Sequence, residues 1–233
     1  MYILVFSLLI LSGLALPRCW RRLKILRWQR VLALNKHQAV FDKLFSRVNG
    51  YTLSLQARNG RDAIEYTYGE IVFVPFISLL SLAKPDSNTV FYDLGSGIGK
   101  AVFACAMVFN VNRSCGVELF STLHDAASEQ LSRFEQLSDY QAPAKKIHFI
   151  NDNFLQADFS DATLIFINAS AFLGETWFLL NQRLAALNPE VTIITTTKKL
   201  SSDFFIVTQT TQVQMSWGVV NAYIHHHIAH QCF

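Results

Sequence analysis

Negatively charged residues are absent from the first 41 positions of this 233-residue chain, and charged residues of both signs make up only 16% of it. So low a charge content, beside 51% hydrophobic residues, excludes an intrinsically disordered protein. Cysteine is also scarce: the four cysteines form no CxxC pair, which excludes a disulfide scaffold and indicates free thiols in a reducing compartment. The length fits one globular domain with a short appendage.

The charges that are present are distributed unevenly. Seven of the 20 basic residues precede Asp42, whereas all 17 acidic residues lie at or after it. The N-terminal part therefore carries about +7, and the remaining body, with 13 basic and 17 acidic residues, about −4. Because neutralisation of phosphates supplies most of the affinity of nucleic-acid-binding proteins, we expect the body not to bind nucleic acid directly.

The N-terminal segment combines an apolar run over residues 2–16 with a basic stretch that follows Pro17. As a helix the run would span roughly 22 Å, against about 30 Å for the hydrocarbon core, but flanking Trp and Arg side chains can extend its reach. We predict that residues 1–30 anchor the chain in a membrane, with the catalytic domain facing the cytoplasm. A cleaved signal peptide, an organelle-targeting segment and a helix packed on a soluble cytoplasmic body are the alternatives.

The body has two predicted parts. Residues 31–88 contain helix-like segments at Asn35–Val48 and Ile71–Ala83, separated by a polar stretch at Asn49–Arg61. From 89 to 233 strands and helices alternate, which indicates an α/β fold with a mostly parallel sheet between helices. We expect strands near Thr89–Asp93, Ser114–Glu118, Lys146–Ile150, Thr163–Asn168 and Val191–Thr196, helices near Gly99–Phe109, Ser121–Leu137 and Glu175–Leu187, and a closing antiparallel hairpin of Phe204–Gln212 and Gln214–His227.

The strongest local signal is a strand that turns through glycines into a helix, Asp93-Leu94-Gly95-Ser96-Gly97-Ile98-Gly99-Lys100. Glycines let the backbone approach a ligand at the carboxyl end of the first strand. A dinucleotide fingerprint would need a third glycine at Lys100, and a phosphate-binding P-loop would need a glycine at Leu94. The turn therefore favours a nucleoside cofactor without phosphate, whose amino group suits Asp93.

Two further groups of residues fit an adenosyl cofactor. Glu118 ends the next predicted strand, about 20 residues after the glycines, where a carboxylate can accept both ribose hydroxyls. Asp152, Asn153 and Phe154 follow the third strand and offer an acid for the adenine amino group and an aromatic ring to cover the base. We expect these groups to converge on one crevice with the glycine turn.

In this order the motifs resemble the disruptor-of-telomeric-silencing family of lysine methyltransferases, the histone enzymes that lack a SET domain. The resemblance covers roughly residues 66–227. It rests on Tyr68-Gly69-Glu70, the glycine turn, Gly116-Val117-Glu118, Asn153-Phe154-Leu155, Ile165-Phe166-Ile167-Asn168 with Ala171-Phe172, and Ser216-Trp217 with Tyr223 and His225.

The resemblance implies a Rossmann-like class I methyltransferase with a seven-stranded sheet, S-adenosylmethionine as cofactor, and a protein substrate with an accessible lysine. The loop of Tyr68 and Glu70 would close over the methionine end of the cofactor. The other implied cofactor-binding residues are Asp93, Gly95, Ser96, Gly97 and Glu118 at the methionine and ribose, and Asp152, Asn153 and Phe154 at the adenine. Asn168 would face the transferred methyl group, and Trp217 and Tyr223 would wall the lysine channel.

Departures from the family pattern leave other functions open. Ala222 stands where a second aromatic would line the channel, and the segment between Trp217 and His225 is shorter than the pattern. A membrane-associated methyltransferase of a small molecule or lipid, a non-catalytic protein that binds S-adenosylmethionine, and a dinucleotide-dependent oxidoreductase are the alternatives. Eukaryotic members of the family use basic extensions to hold nucleosomal DNA, whereas the basic segment here is joined to an apolar run, so a histone substrate is not favoured.

Two clusters are not assigned a function. His225, His226 and His227, with His230, have no Cys or carboxylate nearby in sequence, so we predict an exposed or hairpin-edge run and no metal. Lys198 and Lys199 are interpreted as a solvated loop after the fifth strand.

Overall fold

The computed structural model describes residues 20, 22–58 and 68–228. The apolar run 2–16, on which the prediction of a membrane anchor depends, lies outside these residues. Residues 22–31 are helical, and Trp28 joins them to the body by donating a hydrogen bond to Ser81 Oγ at 3.4 Å. Within the described ranges, no helix combines the length and the apolar character needed to cross a bilayer.

A seven-stranded sheet forms the centre of the fold, in the order β3-β2-β1-β4-β5-β7-β6. The first five strands run parallel, and β7 inserts antiparallel between β5 and β6. The prediction of a mostly parallel sheet closed by an antiparallel hairpin is therefore confirmed. The strands are β1 Val90–Leu94, β2 Arg113–Glu118, β3 Ile147–Asn151, β4 Leu164–Asn168, β5 Thr192–Thr196, β6 Phe205–Met215 and β7 Gly218–His227.

Helices cover both faces of the sheet, as predicted. The α-helices are α1 Leu34–Phe45, α2 Gly50–Arg58, α3 Phe73–Leu82, α4 Lys100–Val108, α5 Ser121–Glu135, α6 Gln141–Ala144 and α7 Gly174–Ala185. One apolar core joins α1, α3, α4 and α5 to the sheet face that carries Phe91 and Phe166. The second core packs Leu180 and Leu184 of α7 against the opposite face. Since successive side chains of a strand point to opposite faces, the long apolar runs of β1 and β4 feed both cores.

The polar stretch Asn49–Arg61, which separates the two predicted helices, is itself helical over Gly50–Arg58, the helix α2. The Asn49 side chain caps this helix by accepting a hydrogen bond from Thr52 N at 3.1 Å. Ser54 is buried, and Leu53 packs against the first core. Tertiary packing thus stabilises a segment whose composition alone favours a loop.

The closing hairpin turns later than expected. The break predicted near Val213 is wrong, because β6 continues to Met215 and the turn lies at Ser216 and Trp217. Val213 and Met215 both bury their side chains in the first core, so the alternation of the strand extends through them. Gly218, with φ 147°, starts the return strand.

The interpretation of the histidine run as exposed or at an edge is wrong for His225. This residue is fully buried, and its strand lies inside the sheet between β5 and β6. Leu200 N donates to His225 Nε2 at 3.2 Å, so Nδ1 carries the proton and donates to Ile193 O at 3.3 Å. Burial lowers the pKa of His225 to about 4, which keeps the ring neutral. The described residues contain no cluster of three metal-ligating side chains, and His230 lies outside them.

Candidate active site

A cavity opens where the carboxyl ends of β1, β2 and β4 meet the glycine turn. Parallel α/β sheets place their ligand sites at this edge. Its lining contains every residue predicted to bind the cofactor except Asp152: Tyr68, Glu70, Asp93, Gly95, Ser96, Gly97, Glu118, Asn153, Phe154 and Asn168. The crevice expected from the sequence therefore exists, and it gathers residues from five separate segments of the chain.

The glycine turn needs its glycines for conformation and for space. Gly95, Gly97 and Gly99 have φ values of 86°, 55° and 84°, a left-handed region that disfavours other residues. A Cβ at Gly97 would lie 2.9 Å from the Tyr68 ring, and one at Gly99 would lie 2.5 Å from Phe149 Cζ. The glycines thus let the turn pack directly against Tyr68 and Phe149, and Gly95 and Gly97 line the cavity.

Glu118 is buried and held at the turn by backbone donors. Gly97 N donates to its Oε2 at 2.8 Å, and Phe120 N donates to its Oε1 at 2.9 Å. Burial raises the pKa of Glu118, and these backbone hydrogen bonds partly oppose the rise. A carboxylate has about four acceptor positions, so the backbone donors do not use all of them, and Glu118 lines the cavity.

Asp93 is the second buried acid in the cavity. Burial raises its pKa to about 8, and the negative charge of Glu118 adds to the rise. Within the described part of the chain, no side chain forms an ion pair with it. Burying two carboxylates together is costly unless a positive charge compensates them, so this end of the cavity is suited to a cationic group.

Residues 68–71, here called the lid segment, line the cavity opposite the glycine turn. Tyr68 donates its hydroxyl to Glu70 Oε1 at 2.9 Å, and Lys100 Nζ lies 2.5 Å from Glu70 Oε2 in a largely buried ion pair. Burial raises the pKa of Tyr68, with the charge of Glu70 adding to the rise, so the hydroxyl stays protonated and donates. This network fixes the Tyr68 ring over Gly97.

Aromatic rings close the other end of the cavity. Phe154 and Phe172 meet edge to face with centroids 4.9 Å apart, and both line the cavity beside Asn153. Asp152 stands next to this end without lining it: its Oδ1 accepts the Asn153 N–H at 2.7 Å. The structure therefore separates Asp152 from the other predicted residues.

Asn168 lies at the end of β4 between the lid segment and β5. Its Oδ1 accepts from Thr196 Oγ1 at 2.8 Å, and its Nδ2 donates to Gly69 O at 3.3 Å. Two partners on different elements fix the orientation of the amide. Thr196 was not among the predicted site residues, although the pairing of β4 with β5 places it directly beside Asn168.

Neither predicted channel residue of the hairpin lines the cavity. Trp217, with 43% of its surface exposed, packs its ring on the backbone of Gly69 in the lid segment. Tyr223 is buried in β7, and strand alternation places its side chain on the sheet face opposite that of Ala222, which lies in the first core. The structure thus brings Trp217 to the lid segment but keeps Tyr223 apart from the cavity.

Lys198 is not the freely solvated residue that the sequence suggested. Its Nζ donates to the carbonyl oxygen of Phe172 and lies 5.9 Å from the centroid of the Trp177 ring. Burial lowers the pKa of Lys198. Lys199 is exposed, with its Nζ 5.3 Å from the centroid of Tyr223. Lys198 therefore connects the loop after β5 to the loop after β4 by a hydrogen bond. This contact could not be predicted from the sequence, because it joins two loops that only the fold brings together.

Solved structures with a similar fold include a methyltransferase bound to S-adenosyl-L-homocysteine. An RNA methyltransferase from Salinibacter ruber in complex with S-adenosyl-L-homocysteine has a TM-score of 0.51 at 22% identity, and the match covers 66% of this chain and 89% of that one. TrmN from Thermus thermophilus has a TM-score of 0.54 at 16% identity, with 66% and 48% of the chains covered. At these identities the likeness shows the Rossmann-like class I fold alone.

Curated relatives match by sequence. A histone-lysine N-methyltransferase, H3 lysine-79 specific, from Caenorhabditis elegans is 29% identical over 172 residues, which cover 66% of this chain and 18% of the relative. A protein-lysine N-methyltransferase from Saccharolobus islandicus (strain REY15A) is 29% identical over 87 residues, or 37% of this chain and 50% of the relative. The chain thus spans half or less of the length of these relatives.

The match to a family is broader than either pairwise alignment. The sequence profile described as "Histone methylation protein DOT1" matches residues 54–225, which include the lid segment, the glycine turn and the closing hairpin. This range covers most of the chain and all of the cavity residues named above. The chain therefore belongs to the DOT1 family of histone methylation proteins.

Proposed function

We propose that this protein transfers a methyl group from S-adenosylmethionine to a lysine amine of a protein substrate. The observation that carries the proposal is the pair of buried acids, Asp93 and Glu118, beside a glycine turn whose Gly95 and Gly97 line the same cavity. A sulfonium nucleoside with an amino group provides the positive charge and the hydroxyl donors that such a pair requires.

The cavity residues fit this cofactor along its whole length. Asp93 would hold the methionine ammonium, and the remaining acceptor capacity of Glu118 would hold the ribose hydroxyls. Asn153, Phe154 and Phe172 would enclose the adenine, with Asp152 acting from beside them. Ser96 lines the cavity, and its buried Oγ, which lies against Gly116, has no hydrogen-bond partner in the described structure.

The residues of this chain would position the reactants and exclude water. When bound, the cofactor supplies an electrophilic methyl on sulfur, which a neutral lysine amine attacks in line from about 3 Å. Asn168 would face this point, with its amide already oriented by hydrogen bonds to Thr196 and the lid segment. An apolar channel lowers the pKa of an entering lysine from about 10.4, which removes the need for a dedicated base.

The acceptor is proposed from the names of the curated relatives, which are a histone-lysine and a protein-lysine N-methyltransferase. The half-exposed ring of Trp217 would form one wall of the lysine channel, where it adjoins the lid segment. The role of Tyr223 as a second wall of the lysine channel stays a prediction. The acidic body suits a protein acceptor with a basic lysine-containing segment better than direct binding to nucleic acid.

Methyl transfer to protein tests this proposal. Tritiated S-adenosylmethionine is incubated with the full chain and either core histones or fractionated lysate, beside the Asn168→Ala and Gly97→Arg variants. We expect labelled protein with the parent chain and its loss with either variant. Label in small molecules or lipids, with none in protein, would contradict the lysine acceptor but retain the methyltransferase. Binding of S-adenosylhomocysteine without transfer to any acceptor would select the non-catalytic alternative.

A membrane-associated acceptor is the second candidate, and exposed apolar residues favour it. Trp20, Leu23 and Leu26 are each more than half exposed in a segment that also carries basic residues and no acids. We propose that residues 1–30 attach the chain to a membrane, with the body on the cytoplasmic side. A fusion of these residues to a soluble reporter should sediment with membranes, and a reporter that stays in solution would contradict the proposal.

A further inference from the structure

The turn of the closing hairpin is joined to the lid segment by two hydrogen bonds, one between backbone groups and one to a side chain. Ser216 N donates to Glu70 O at 2.9 Å, and Glu70 N donates to Ser216 Oγ at 3.0 Å. The adjacent residues Ile71 and Met215 form an antiparallel bridge. The lid segment therefore extends the sheet as a very short strand beside the end of β6, although 146 positions separate Glu70 from Ser216.

Trp217 adds a side-chain contact to this connection. Its ring lies so close to Gly69 that a Cβ built there would be 2.5 Å from Cε3 of the indole. The backbone of Gly69 does not adopt the left-handed conformation that only glycine tolerates well. The indole ring, and not the backbone conformation, is therefore what bars a larger residue at this position.

The lid segment meets the cavity on its other side. Tyr68 covers Gly97, Gly69 O accepts a hydrogen bond from Asn168, and Glu70 pairs with Lys100. The methionine end of the proposed cofactor would lie among the residues that make these contacts. The hairpin turn thus acts on the cavity through the lid segment, without lining the cavity itself.

We infer that Ser216 and Trp217 are positioning residues that latch the lid segment over the methionine end of the cofactor. The inference rests on the proposed function. A lid segment that is ordered before binding has already lost its conformational freedom, so less of the binding energy is spent on ordering it. Loosening the latch should weaken cofactor binding and accelerate cofactor release, while the sheet and both cores stay intact.

A double-mutant cycle between the two sides of the contact tests the latch. S-adenosylhomocysteine is titrated calorimetrically into the full chain, into Trp217→Ala, into Gly69→Ala and into the double variant. We expect each single change to weaken binding by about tenfold. The double variant should bind no more weakly than Trp217→Ala, because the added methyl group then occupies the space that the indole has left.

Three controls separate the latch from a general loss of structure. Val219→Ala removes an exposed side chain from the same hairpin and should leave binding unchanged. Trp217→Phe should recover part of the affinity, because a smaller ring still covers Gly69. Ser216→Ala removes the hydrogen bond to the side chain but leaves the one between backbone groups, so it should weaken binding by about threefold. If Trp217→Ala does not fold, this variant tests the latch in its place.

The outcomes distinguish the latch from the proposed function beneath it. No binding of S-adenosylhomocysteine by the parent chain would overturn both. Binding by the parent with unchanged affinity in Trp217→Ala, Gly69→Ala and Ser216→Ala would overturn the latch alone. Effects of Gly69→Ala that are equally large with and without the indole would also overturn it, because the two residues would then act independently.

Discussion

The two ends of the cavity are closed in different ways. At the end proposed for the methionine, Asp93, Glu118 and the network of Tyr68, Glu70 and Lys100 place charged groups in a largely buried setting. At the end proposed for the adenine, apolar rings meet edge to face. A buried polar group that loses its partner costs more than a reshaped apolar contact. The polar end should therefore decide which ligand binds, and the apolar end should contribute area that tolerates substitution.

The largest expected effect comes from Asp93→Asn. The amide keeps the shape of the side chain but cannot balance a buried ammonium group, and the loss of one partner of a buried pair corresponds to an affinity lower by more than about 100-fold. Calorimetric titration with S-adenosylhomocysteine measures it. Asp125→Asn, on the exposed face of α5, is the matched control and should bind like the parent. A loss of less than about threefold would place the ammonium elsewhere.

Glu118→Gln should weaken binding by about 10- to 100-fold, because hydrogen bonds to a charged acceptor are worth about 1.5–3 kcal/mol. The substituted amide also presents a donor toward the N–H groups of Gly97 or Phe120, which disturbs the turn. The same titration measures the effect, with the exposed Glu135→Gln as control. Unchanged affinity would exclude this carboxylate from the ribose site.

The pH dependence of binding should report the ionisation of Asp93. Its pKa of about 8 in the free protein leaves most molecules protonated at pH 7, whereas an ammonium ligand requires the carboxylate. Binding at pH 7 should therefore release close to one proton, and affinity should rise about tenfold from pH 6.5 to 7.5. Calorimetry in buffers of different ionisation enthalpy measures the proton. The release should vanish in Asp93→Asn; release that persists there would come from another group.

The same shift predicts how the stability of the free protein depends on pH. The folded state holds a proton on Asp93 up to about pH 8, whereas the unfolded state loses it near 3.8, so the folded state binds more protons between these values. This group therefore lowers the free energy of unfolding as pH rises through that window. Thermal unfolding of Asp93→Asn should show a smaller loss between pH 5 and 8 than the parent; parallel curves would contradict the buried carboxyl.

The smallest expected effect is at the apolar end. Phe172→Leu should weaken binding only about threefold to fivefold, because another apolar side chain can fill most of the space. Phe178→Leu, with 60% of the side chain exposed on α7, is the control. A loss as large as that of Asp93→Asn would remove the contrast between the two ends.

The sequence predicted those parts of the site that depend on local backbone. Asp93 and Glu118 end neighbouring parallel strands, and the glycines between them need positive φ, so their convergence follows from the order of elements. The sheet and the closing hairpin followed in the same way from periodicity. The predicted end of β6 was wrong because the alternation of buried and exposed side chains continues beyond Val213 to Met215.

Contacts between distant segments could not be predicted. Trp217 contacts Gly69 although the two residues are far apart in the sequence. Tyr223 and Ala222 are neighbours in β7, so they lie on opposite faces of the sheet, and the register of the strand decides which face each occupies. His225 was predicted to lie exposed or at an edge because the position of β7 within the sheet, between β5 and β6, cannot be deduced from the sequence. The family resemblance identified these residues as candidates, but the residues that they contact depend on tertiary packing.

The most direct test of the account is a titration of the full chain with S-adenosylhomocysteine at pH 7.5, beside an identical titration with NADH. We predict saturable one-to-one binding of S-adenosylhomocysteine, its loss in Gly97→Arg, whose side chain would meet the Tyr68 ring at a left-handed backbone position, and no binding of NADH. No heat with S-adenosylhomocysteine, or equal binding of both ligands, would contradict the assignment of the cavity.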